Sequence, residues 1–143
     1  MSHITEIKIK VTDLGVLKAA CQRMDLVFSE GQKNYAWYGS SSGRIPKDVA
    51  LESPGVCDHA IIVPGARYEV GVRKHENEYR LLWDNWAGGG LERILGENAG
   101  LLMQAYGIEK AKREARRKGY LVQETKQDSG TVVLNLSTTG GAL

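Results

Sequence analysis

The 143-residue chain predicts an α+β fold: a single domain, mainly an antiparallel sheet with helices packed on one face. Three observations lead there. Apolar and polar residues alternate in "EIKIKV" and "ARYEVGVRK", the period of strands with one wet face. The period lengthens to 3.6 in "LGVLKAACQRM" and again after "WAGGG", as in helices with one buried stripe. The order of elements is strand, helix, several strands, helices, two strands, without the regular βα alternation that builds a parallel sheet. A chain of this length buries about two-thirds of its unfolded surface, enough for one domain without covalent staples.

Taken in order, Ile7, Ile9 and Val11 alternate with Lys8 and Lys10, which predicts a first strand from Glu6 onward. Thr12 or Asp13 can cap the helix that follows, in which Leu14, Leu17, Ala20, Cys21 and Met24 share a face. "LVFSEGQKNYAWYG" reads as strand, turn, strand, and "SSSGRIPKDVALESPG" as a long loop rich in serine, glycine and proline. "CDHAIIVPG" holds a short apolar strand. "ARYEVGVRK" and "YRLLWD" form a hairpin across "HENE". Leu91, Ile94, Leu95, Leu101, Leu102 and Ala105 suit one or two helices, with Gly96 and Gly100 as weak points. "IEKAKREARRKG" is a further helical segment ending at Gly119, a C-cap glycine. "YLVQE" and "TVVLNL" close the fold as a hairpin. The domain is expected over 1–136, with 137–143 a flexible tail.

Composition narrows the function classes. A net charge of +2 from 19 basic and 17 acidic residues argues against a nucleic-acid partner. The N-terminus lacks the apolar core of a signal peptide, and no apolar run reaches the length of a membrane span. A cytoplasmic location without membrane attachment is therefore expected, consistent with two cysteines, Cys21 and Cys57, as reduced thiols.

The segments "MSHITEIKIK", "YEVGVR", "YRLLWDNW", "QAYG" and "EARRKGYLVQE" occur in this order over nearly the whole chain. In this the chain resembles the hypothetical chloroplast reading frame thirty-five family, a domain of unknown function shared by cyanobacteria, algal plastids and tailed phages. The resemblance implies a single α+β domain, and in some genomes a neighbouring AAA-type ATPase. It supplies no catalytic residue to carry over. The chain departs from the family pattern at Gly88, Gly89 and Gly90, and in the serine loop from Gly39 to Gly43.

The candidate site residues follow from chemistry. Gly88, Gly89 and Gly90 precede a helix, where free backbone N–H groups and the helix dipole suit an anion. Trp83 and Trp86 are placed to stack on a flat ring, and Arg93 to meet a phosphate. The run matches neither a dinucleotide fingerprint nor a P-loop, so a plain strand-to-helix connector is the competing reading. Arg67 and Arg73 alternate with apolar residues along one strand and suit carboxylates or phosphates, or else form a solvated face. Ser41, Ser42 and Arg44 could build an anion nest or a lid. The basic segment from Lys110 to Lys118 suits an acidic protein partner, although cations also gather at helix C-termini without any ligand. Cys57 and His59 share a face if both lie on a strand, yet no metal-ligand spacing supports them, so neither metal nor cofactor is expected. No nucleophile–base pattern is evident, no catalytic residue is assigned, and Asp84 is the acid to test as a base.

These features order the functions. The first is a non-enzymatic binding protein for a small anionic, nucleotide-like ligand; in a phage it would sequester a host signal. The alternative is an accessory interaction module of an ATPase-containing or other assembly. A small-substrate enzyme comes third. Open sheet edges also predict a homo-oligomer.

Overall fold

The computed structural model describes residues 4–41 and 55–138. The elements are β1 (Ile4–Val11), α1 (Leu14–Arg23), β2 (Val27–Ser29), α2 (Tyr38–Ser41), β3 (His59–Ile62), β4 (Glu69–His75), β5 (Glu78–Asp84), α3 (Leu91–Leu95), α4 (Gly100–Arg117), β6 (Tyr120–Lys126) and β7 (Val132–Thr138). Single 3₁₀ turns occupy Ala87–Gly89 and Glu97–Ala99. Five strands form an antiparallel sheet in the order β1-β5-β4-β3-β2, and β6 and β7 form a separate two-stranded sheet. The fold is α+β, as the sequence predicts. Among the described residues no helix is long and apolar enough to cross a membrane.

Register sorts the side chains of the main sheet into two faces. Ile7 lies opposite Leu81, and Leu81 opposite Val72. With Ile61, Val70 and Trp83 they share one core cluster with Val16, Leu17 and Ala20 of α1 and Leu102 and Tyr106 of α4. Both helices therefore cover the same face. Asp13 starts α1 as expected of a cap, its Oδ1 accepting the amides of Gly15 and Val16 at 2.8 and 3.3 Å. The second face carries Ala60 opposite Gly71 and Gly71 opposite Leu82. It is not a solvated face: Tyr35 and Cys57 are buried against Ala60, with Trp37 and Leu82 packed alongside.

This second cluster explains where the sequence expectation fails. Only Val27–Ser29 of "LVFSEGQKNYAWYG" is a strand; Asn34 makes one isolated bridge to Val56, and Tyr38–Ser41 is a helical turn. The stretch around Tyr35 instead lies over the second face, held by Tyr35 N–H to the Gly55 carbonyl and Ala36 N–H to Glu69 Oε1, both 2.9 Å. In the other direction, α4 is one continuous helix of 18 residues where two segments were expected. Gly107 sits on its exposed side and does not break it. β7 extends through Thr138, past the boundary expected at 136; residues 139–143 and most of the serine–proline loop lie outside the described residues.

Two glycine substitutions test this packing with opposite signs. A Cβ on Gly71 would come within 2.3 Å of the Tyr35 ring, so Gly71→Ala is expected to cost about 1–3 kcal/mol. Nothing lies within 4 Å of a Cβ on Gly107, so Gly107→Ala is expected to gain about 0.5–1 kcal/mol. Urea denaturation of the two variants reads both.

Candidate functional site

The joint between β5 and α3 gathers the largest share of the sequence-derived site residues. The glycines here answer steric demands. Gly89 is buried, and a Cβ on it would lie 2.0 Å from the Tyr68 ring. Its carbonyl accepts the amides of Arg67 and Tyr68 at 2.8 and 3.2 Å, which docks the joint onto the start of β4. Gly90 has φ 81° and ψ 0°, a left-handed conformation that favours glycine. A Cβ on Gly88 would meet the Trp86 ring at 2.6 Å. The amides of Gly89 and Gly90 donate to the carbonyls of Trp86 and Ala87 at 2.9 and 3.2 Å. At these two positions the expected outward-facing anion donors are instead engaged in closing the turn, and α3, with 5 residues, adds little dipole.

Trp86 and Arg93 belong to the joint itself, and Arg67 meets it through its backbone amide. The half-buried Trp86 indole stands edge-on to Tyr38, with centroids 5.6 Å apart and planes at 89°, and lies 6.3 Å from the Tyr68 ring. The Tyr68 hydroxyl is buried and has no hydrogen-bond partner among the described residues. Arg93 is exposed and donates through Nη2 to the Gly65 carbonyl at 3.1 Å. Arg67, also exposed, leaves the chain where its amide meets Gly89. Trp83 does not belong to this group. It is only 2% exposed, packs in the main core, and its Nε1–H donates to Thr5 Oγ1 at 3.2 Å, so its ring has no free face for a ligand.

Arg73 is also separate. Six residues of extended chain put it about 20 Å along from Arg67. Its Nε and Nη2 both donate to the Val56 carbonyl, at 3.2 and 2.6 Å, so it ties the second-face segment to β4. Asp84 is fully buried. Its Oδ2 accepts the Tyr38 amide at 3.0 Å and its Oδ1 the Trp86 amide at 3.1 Å. These bonds fasten α2 and the joint to the end of β5, a structural task that closes the carboxylate to substrate. Ser41 ends α2, while Ser42 and Arg44 lie outside the described residues.

The basic segment Lys110 to Lys118 is largely drawn onto the protein's own acids. Lys112 pairs with Glu109 at 3.6 Å, Arg113 with Asp13 at 3.0 Å and Arg117 with Glu114 at 3.2 Å. Lys110, Arg116 and Lys118 are exposed and form no ion pair among the described residues. A polar cleft of about 190 Å³, lined by Thr12, Asp13, Tyr106, Lys110, Arg113 and Arg117, lies where α1 starts. Asp13 and Arg113 are 100 positions apart, and no local sequence signal joins them. Burial pushes the Asp13 carboxyl up, but the Val16 and Gly15 amides and the Arg113 guanidinium outweigh it and hold it below its ordinary value. The hydrogen bond from Arg23 likewise holds the Glu124 carboxyl low.

Cys57 and His59 diverge. β3 begins only at His59, so the strand alternation does not reach back to Cys57. The Cys57 thiol donates to the Gln32 carbonyl at 3.1 Å on the second face, while the His59 ring packs near Phe28 and Tyr79 and its Nδ1 accepts the Gly31 amide at 2.9 Å. Among the described residues no group of three or more metal-ligating side chains converges. Comparison with protein-family models, with curated proteins and with solved structures returns no match to this chain.

Asp84→Ala strands two amides in a buried corner, and a loss of about 2–4 kcal/mol is expected in chemical denaturation, with a smaller loss for Asp84→Asn. The lowered Asp13 and Glu124 values give a second expectation. Each group contributes stability that is complete above its unfolded pKa and is lost as pH falls through its lower folded value. Replacing Arg23 and Arg113 together by alanine should therefore flatten the fall in stability below pH ~4.5. An acid titration followed by circular dichroism, with an unchanged slope in the double variant, would disprove the assignment.

Proposed function

We propose that the chain is a non-enzymatic binding protein for a small anionic ligand that carries a flat ring, of the nucleotide-like class. One observation carries the reading: a single joint holds the half-buried Trp86, edged by Tyr38, and the exposed Arg93, and the backbone of the exposed Arg67 is bonded to it. An indole face recognises a flat ring at small entropic cost, and a guanidinium recognises phosphate or carboxylate with directional hydrogen bonds. The potential nucleophiles favour binding over chemistry. Burial pushes the Cys21 thiol up to about 12 and the Cys57 thiol up to about 11, which leaves little thiolate at neutral pH. Two free, buried cysteines also fit a reducing compartment such as the cytoplasm, and a phage-borne copy would sequester a host metabolite there.

A second reading, an accessory module that docks an acidic protein such as an ATPase partner, is favoured by one feature: Lys110, Arg116 and Lys118 remain exposed on α4 and its cap after their neighbours have paired.

The test is a thermal-shift panel of mono-, di- and cyclic nucleotides, ADP-ribose derivatives and inorganic phosphate, run at low and high salt. One class should raise the melting temperature by several degrees, growing with the logarithm of concentration. Trp86→Ala and Arg93→Ala should each remove most of that rise, with the fold of each variant checked by far-ultraviolet circular dichroism. No shift across the panel would shift the function to the accessory module.

A further inference from the structure

The C-terminal hairpin has an outer edge unlike the others. β1 carries Glu6, Lys8 and Lys10, with an irregular register between Ile7 and Val11. β2 has only 3 residues, and β6 carries Glu124 and Lys126. Charges, bulges and shortness are the usual guards against unwanted strand pairing. β7, "VVLNLST", has none of them: it is 7 residues long, in unbroken register with β6, and without a charge.

The direction of its backbone groups follows from the turn. Gln127 N–H donates to the Thr131 carbonyl at 2.8 Å. Antiparallel ladders alternate bonded and non-bonded pairs, so Val133, Asn135 and Ser137 bond to β6. Val132, Leu134, Leu136 and Thr138 therefore turn their N–H and C=O groups outward.

From this edge we infer that β7 pairs antiparallel with β7 of a second copy, about a two-fold axis at Asn135. In that register Leu134 faces Leu136 of the partner subunit, Leu136 faces Leu134 of the partner subunit, and Val132 faces Thr138 of the partner subunit, with the reciprocal pair completing the set. Every outward backbone group then has a counterpart, and this is the one register that overlaps the whole strand with itself. An isologous contact brings each residue type near its own copy. A charged strand would set like charges together, whereas β7 sets leucine on leucine and asparagine on asparagine.

The side chains agree. Leu136 shares the face of Val122 and Leu134 that turns toward α4, yet it is 50% exposed. α4 lies mainly beneath β6, so β7 overhangs, and a leucine from the second copy fills that overhang. The product is a four-stranded sheet, β6-β7-β7-β6, in place of a two-stranded one, which is marginal by itself. A strand of this length spans about 23 Å and buries less than the roughly 800 Å² per partner of a standard interface, so the dimer is concentration-dependent.

Sedimentation velocity of the full chain over a micromolar series tests the inference. The wild type should move from monomer to dimer. Asn135 lies on the solvent face opposite Gln123, so Asn135→Lys leaves the hairpin intact while setting two lysines across the axis. It should weaken self-association about fivefold or more, and an equimolar mixture of Asn135→Lys with Asn135→Glu should restore it. Leu136→Lys, with folding of each variant checked by far-ultraviolet circular dichroism, supplies an independent disruption. A wild type that stays monomeric across the series, or an Asn135→Lys variant that associates as the wild type does, overturns the proposal.

Discussion

Asp84 stands where the sheet, the second-face segment and the joint to α3 meet. Both its oxygens accept backbone amides, one from Tyr38 before the sheet core and one from Trp86 just after it. A buried carboxylate is tolerated only when it is well hydrogen-bonded, and here the bonding partners come from two chain segments, which it joins to the end of β5. The strand it ends is itself the hub. β5 pairs with β1 on one side and β4 on the other, sends Leu81 and Trp83 into the helix-covered core, and sends Leu82 to the smaller cluster under Tyr35. The helical core, the second-face cover and the Trp86 corner all take their position from these few residues.

What was legible in the sequence follows from how local each cause is. α1 could be read because its cap and its stripe lie within a dozen residues, and the Asp13 bonds to Gly15 and Val16 are local. The β4–β5 hairpin could be read because its pairing crosses a short turn. The stretch around Tyr35 was read as a second strand; it covers the sheet instead, and Gly71 beneath it leaves room for the ring. The glycine run was read as freeing backbone N–H groups for an anion, whereas the group that approaches Gly89 is the Tyr68 ring. Trp83 and Trp86, three positions apart, look like a pair in sequence, while the strand turns one into the core and the joint leaves the other at the surface.

The arrangement of charge teaches a similar lesson. "EKAKREARRK" looks like a docking helix when its residues are counted, yet its cations find Asp13, Glu109 and Glu114 within reach. Exposed ion pairs of this kind add little stability individually. Their effect is to remove a field that the composition would otherwise advertise, which narrows any acidic partner to Lys110, Arg116 and Lys118.

The strand order has a consequence for how the chain is made. β1 is synthesised first, but the partner it needs is β5: Thr5 meets Trp83 across 78 positions. Until β5 has emerged from the ribosome, β1 has α1 behind it but no strand to pair with, and its backbone edges stay open. The β6–β7 hairpin, by contrast, packs mainly on the helix directly before it. Non-local pairing of the first kind slows folding and lengthens exposure to aggregation. Lys8 and Lys10 suit that wait, since charge on an open strand disfavours unwanted pairing, and their value then lies as much in the history of the molecule as in its finished form.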